Sequence, residues 1–199
     1  VKYRNGWPRF SGDKALVAGF MRNGFDERLA RRRIAVGCNW MSLPGLEYTM
    51  NDLVKVNLAK VFEVAYDESK ADAGRTTERL WRSFASHLRE AVRPAALICV
   101  DSLCSAEGAR LGRSVQFSDT GLYPAQADHA KHLDAAALGV PVIAAGIPTL
   151  MDSDEGADLV VTPRALDSVI AHGSALLAGA INRALQPRLS VAQLFWLAG

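Results

Sequence analysis

The stretch Pro94-Ala-Ala-Leu-Ile-Cys-Val-Asp101, with Leu138-Gly-Val-Pro-Val-Ile-Ala-Ala-Gly-Ile-Pro-Thr149 downstream, decides the reading of the fold. Each contains a short apolar run bounded by Gly or Pro, and the first reaches a carboxylate. Apolar runs of this length, with β-branched residues and no polar alternation, suit strands buried on both faces of a sheet. They predict one buried strand within 94–101, ending at Asp101, and another at 142–145. In open α/β sheets ligands bind beyond the carboxyl ends of the parallel strands. Asp101 is therefore expected at a strand end, where burial would raise its pKa toward acid/base use. The competing reading makes it the N-cap of a helical segment over 102–109.

Working outward, Arg33-Ile-Ala-Val-Gly37 predicts another strand, followed by a loop over 38–45. From Leu46 to Asp67 apolar residues recur at three to four positions, which predicts a helix. Gly74 is expected to break the chain, with Thr76 or Thr77 capping the next helix. That helix should bury Leu80, Phe84, Leu88 and Val92 and stop before Pro94. Leu159-Val-Val161 reads as a short extended piece. Thr162-Pro163 resembles a helix start, and the apolar stripe from Leu166 to Leu185 continues to Pro187. The alternation predicts an α/β fold: a mostly parallel sheet sandwiched by helices. Residues 1–199 are read as one domain, with an irregular segment over 1–32.

Composition agrees. The chain has 199 residues, 49% hydrophobic and 22% charged, an ordinary globular balance. A net charge of +2 implies neither a nucleic-acid nor a membrane partner. The cluster Arg28, Arg31, Arg32, Arg33 is read as a solvated helix end or loop. Cys38, Cys99 and Cys104 form no Cys-x-x-Cys pair, which suits a reducing cytoplasm. No apolar run reaches membrane-spanning length, and no signal peptide is read. The apolar ending Leu194-Phe-Trp-Leu-Ala-Gly199 is expected to require a covering surface, and the chain reads as trimmed or partial.

Three further patterns bear on chemistry. Asp119-Thr120-Gly121 resembles the Asp-Thr-Gly of pepsin-like proteases, but it occurs once, in an α/β pattern, and reads equally as a turn with glycine at positive φ. His129 and His132 lie three apart, a spacing that could reach a metal; a solvated polar loop explains them as well. No glycine-rich nucleotide cradle or Gly-x-Ser-x-Gly elbow is present, so no cofactor is expected.

The blocks Ile98-Cys-Val-Asp101, Val115-Gln-Phe-Ser-Asp-Thr-Gly121 with Pro124, Leu138-Gly-Val-Pro-Val-Ile143 and Gly146-Ile-Pro-Thr149 with Asp152 together resemble the germination protease of spore-forming bacteria. Val161-Thr-Pro163, Asp167-Ser168 and the run to Leu185 resemble its last segment, and a long insertion between these parts is missing here. The resemblance implies a fold similar to hydrogenase-maturation proteases and a cytoplasmic hydrolase, made as a zymogen and assembled into homo-oligomers. Its substrates would be the small acid-soluble proteins of the spore core, with no membrane and no direct nucleic-acid contact. It further implies two catalytic carboxylates, Asp101 being one. The other follows a Gly-Asn…Pro loop, here Gly37-Cys-Asn39 to Pro44, but Gly45 occupies its position. Glu47 is then the nearest candidate, with Asp52 beyond, while Asp119, Thr120 and Gly121 would shape the substrate cleft. Two other readings stand beside this one: a non-catalytic binding or regulatory relative, and a metal-dependent maturation peptidase using Glu47, Asp101 and His129.

Overall fold

The computed structural model describes residues 14–25, 28–29, 32–38, 53–58, 73–123, 132–152 and 160–193. In chain order these form α1 (Lys14–Arg22), β1 (Ile34–Cys38), β2 (Leu53–Asn57) and α2 (Ala73–His87), which runs into a π turn over Leu88–Val92. Then follow β3 (Ala96–Cys104), β4 (Gln116–Ser118), α3 (Ala135–Leu138), β5 (Val142–Asp152), β6 (Val160–Val161) and α4 (Leu166–Leu185). One six-stranded sheet has the order β2-β1-β3-β5-β4, with β6 paired to the far end of β5. The pairs β1–β2, β1–β3 and β3–β5 are parallel, whereas β4 and β6 run antiparallel to β5. The fold is thus α/β with a mostly parallel sheet between helices, as the strand–helix alternation requires.

The pleat divides the core in two. Ala96, Ile98 and Val100 of β3 and Ile143, Ala145 and Ile147 of β5 join one cluster, with Phe20, Phe25 and Leu177. Leu97 and Cys99 of β3 and Val142 and Ala144 of β5 join the other, with Trp81, Leu88, Val92 and Leu138. Alternation with period two sends neighbours to opposite faces. The first face is covered by α1 and α4, the second by α2, the π turn and α3. Strands buried on both faces explain why their sequence shows no polar alternation.

Several expectations need correction. β3 does not stop at Asp101; it continues to Cys104. The helix predicted over 46–67 gives way to β2 at Leu53–Asn57, because Val54-Lys-Val-Asn-Leu58 also carries the period-two pattern and β-branched residues of a strand. The segment 1–32 is not wholly irregular, since α1 lies in it. Gly74, Thr76 and Thr77 stand inside α2 rather than before it. Its buried residues are Trp81 and Ala85, with Leu88 and Val92 in the π turn; Leu80 and Phe84 are half-buried. Arg93 adopts the left-handed conformation (φ 49°) and ends the turn before Pro94. α4 begins at Leu166, not at Thr162-Pro163. The segment 102–109 is strand and coil, with a 3-10 turn at Gly108–Arg110, so Asp101 caps no helix there. Arg33 is also more than a solvated charge: its Nη1 donates to the Val92 carbonyl at 3.0 Å, tying β1 to the end of the π turn.

Candidate active site

The site is built from the row of the sheet at Gly146. Asp101 of β3 pairs with Gly146 of β5, which pairs on its other side with Gln116 of β4. Residues directly opposite in a sheet share a face. Asp101 shares its parity with Leu97 and Cys99, which places it on the α2 and α3 face. Its residue is only 6% exposed, so the carboxyl is withdrawn from bulk water inside a strand. The Ser102 N–H donates to Asp101 Oδ1 at 2.8 Å, a bond that favours the charged form of a carboxyl.

Gly146 separates Asp101 from Gln116 and brings no side chain of its own. Leu103 leans over it: a Cβ at Gly146 would lie 2.5 Å from Leu103 Cγ and 2.7 Å from the Asp101 carbonyl oxygen. The row therefore reads carboxylate, a glycine whose side-chain space Leu103 fills, and half-buried amide. Gln116 was not foreseen from sequence. Only the register identifies it, because the antiparallel turn that returns β4 to β5 leaves no periodic signal.

The turn Asp119-Thr120-Gly121 stands apart from that row. β4 runs antiparallel, so Ser118 pairs with Ala144, level with Cys99. Two residues along and two strands over put the Ser118 backbone about 12 Å from Asp101. The turn is internally bonded. Thr120 N donates to Ser118 Oγ at 3.1 Å, the two hydroxyls are 2.7 Å apart, and Tyr123 Oη donates to the Thr120 carbonyl at 3.1 Å. Gly121 has φ +105°, and a Cβ there would run into the Leu133 carbonyl. Asp119 is exposed. Glu47, Gly45, Asp52 and His129 lie outside the described residues, so the second carboxylate and the histidine of the metal reading have no placement. Among the described residues no three His, Cys, Asp or Glu are grouped to hold a metal ion.

Residues 85–155, which hold Asp101, Gly146 and the Asp-Thr-Gly turn, match the family model described as germination protease. These matches, with the relatives below, place that segment in the germination protease family. A germination protease of Clostridium perfringens (strain SM101) is 28% identical over 150 residues, covering 51% of this chain and 46% of the relative. One from Halalkalibacterium halodurans is 38% identical over 85 residues, 42% of this chain and 22% of the relative. One from Clostridium acetobutylicum is 24% identical over 151 residues, 52% of this chain and 46% of the relative. The chain thus spans about half the length of the first of these. Because 150 aligned positions take in only 51% of 199 residues, about fifty of those positions in the Clostridium perfringens germination protease have no counterpart in this chain. Residues 1–86 match a different family model, described as pyruvate formate lyase-like. Glu47 and residues 37–44 fall in that second match.

Proposed function

We propose that the chain is an endopeptidase of the germination protease type, with Asp101 as the carboxylate that activates water. The observation that carries this is a 6% exposed aspartate in the matched segment, whose row neighbour Gly146 adds no side chain of its own. In the proposed reaction the Asp101 carboxylate takes a proton from water as its oxygen attacks the peptide carbonyl. A second carboxyl, proposed to be Glu47, returns a proton to the departing nitrogen, so the C–N bond breaks to give a carboxylate and an amine. Gln116 on the same face would bind the substrate backbone. A substrate in extended form advances about 3.3 Å per residue, so the Asp119–Gly121 turn would meet it about four residues from the scissile bond. The substrates proposed by relationship are small acid-soluble spore proteins, cleaved in the cytoplasm of the spore core by a homo-oligomer matured from a zymogen. The mostly parallel α/β sheet is compatible with a hydrogenase-maturation-protease-like fold. No helix among the described residues is long and apolar enough to cross a membrane.

The test is incubation of the full chain with spore proteins, with the fragments read by mass spectrometry. Specific cleavage that disappears in Asp101→Asn supports the proposal; cleavage at the parent rate in that variant refutes the role of Asp101. A second reading, a non-catalytic binding or regulatory relative, is favoured by one observation: residues 1–86, with Glu47, match a different family. It expects no cleavage by the parent chain, and it expects Gly45→Asp to bring none. If cleavage occurs but Glu47→Gln leaves the pH–rate profile unchanged, Glu47 has no part in it.

A further inference from the structure

The face of the sheet opposite Asp101 carries a cleft of about 440 Å³, within the size range of small-molecule sites. Its aliphatic walls include Leu16 of α1, Ile147 of β5 and Leu176 of α4, and its polar groups include Arg113, Ser168 and His172. Ile147 belongs to the α1 and α4 core cluster, so the cleft is separated from Asp101 by the sheet itself. The loop that supplies Arg113 is fixed rather than pendent. Gly112 N donates to the Pro148 carbonyl at 2.6 Å, and Arg113 N donates to the Arg110 carbonyl at 3.0 Å. Gly112 holds φ +65°, against Pro163 and Val169. The neighbouring Arg110 is paired with Glu107 at 2.9 Å. Arg113 lines the cleft and is exposed, and among the described residues its guanidinium makes no ion pair or side-chain hydrogen bond.

We infer that this cleft binds a carboxylate carrying an apolar body, the acid group on Arg113 and the body between α1 and α4. A guanidinium presents paired N–H donors that match the two oxygens of a carboxylate. The walls supply apolar area, and among the described residues the lining holds no Asp or Glu. Two sources share that chemistry, a free alkanoate and a peptide C-terminus with an apolar last residue. The inference does not rest on the peptidase reading.

Calorimetric titration of the full chain with octanoate, with N-acetyl-leucyl-leucine and with 1-octanol tests it. Saturable 1:1 binding of at least one acid is expected, with octanol at least tenfold weaker. Whichever acid binds more tightly identifies the source. Arg113→Gln should weaken that acid at least tenfold with an unchanged unfolding midpoint. Ala15→Trp, which fills the cleft from the exposed side of α1, should remove binding with Arg113 intact. No saturable binding of either acid, octanol binding as tightly as octanoate, or parental affinity in Arg113→Gln would overturn the inference.

Discussion

Asp101 and Gly146 work as a pair at the scale of single residues. The aspartate sits inside a strand, where its Oδ1 takes the N–H of the next residue. Asn in its place keeps an acceptor for that N–H and nearly the same volume. Asp101→Asn should therefore keep the parent unfolding midpoint within about 1 kcal/mol of stability, while under the proposed function cleavage should fall on the order of a hundredfold or more, the usual share of a general base. Thermal melts and initial rates on one preparation check both halves. Gly146→Ala is the complementary change. Its Cβ would stand 2.5 Å from Leu103 Cγ in a packed interior, and overpacking of this kind costs about 1–3 kcal/mol. Denaturant midpoints should show that loss; a neutral result would mean that Leu103 moves freely. Gly121→Ala should be worse, because a positive φ and the Leu133 carbonyl oppose it together. Left-handed backbone alone costs an L-residue about 1–2 kcal/mol, and the paired Leu122–Leu133 bonds of 3.0 and 2.9 Å would be strained as well.

Among the elements, α3 shows how little chain can set a boundary. Asp134 accepts the Ala137 N–H at 2.8 Å as N-cap, and Gly139 closes the helix at φ +73°. Asp134→Ala should cost about 1 kcal/mol, the usual value of a lost cap, readable as a shifted urea midpoint with an unchanged slope. The elements that could be read from sequence alone were those whose environment is uniform along their length. β3 and β5, buried on both faces, show as apolar runs, and α4 shows as a stripe from Leu166 to Leu185. Elements shaped by a distant neighbour were illegible. α1 carries Gly19, where a Cβ would lie 2.5 Å from the Phe117 ring, so glycine admits the close approach of helix to β4. Phe20 meets the same ring edge-on at 4.8 Å. β2 was misread because Leu53, Val54, Leu58 and Val61 satisfy a helical period while Val54, Val56 and Leu58 satisfy a strand period. At the candidate site Asp101 was legible because a carboxylate in an apolar run is anomalous, whereas Gln116 required the antiparallel register of β4.

At the scale of the whole molecule, the two family matches meet at residues 85–86, inside α2. The boundary between sequence families is thus not a boundary in the fold. Phe20, Phe25, Ile34 and Val36 from the match over residues 1–86 are buried with Ile98, Val100, Ile143 and Leu177 in one cluster. Leu58 and Trp81 are buried with Leu97, Cys99 and Val142 in the other. β1 also pairs along its full length with β3. Removing residues 1–84 would therefore strip six large side chains from two cores and bare the inner edge of β3. At about 1.5–3 kcal/mol for each buried side chain, the loss is on the order of 9–18 kcal/mol, as large as the whole stability of an ordinary domain. The fragment 85–199, although it holds Asp101 and every residue of the germination protease match, should not fold cooperatively. Chemical denaturation followed by circular dichroism should give a sigmoidal transition for the full chain and a featureless slope for the fragment. A cooperative transition in the fragment would show that the first 84 residues only lean on a core that closes without them. It would also make the fragment the smallest unit in which Asp101 could be assayed.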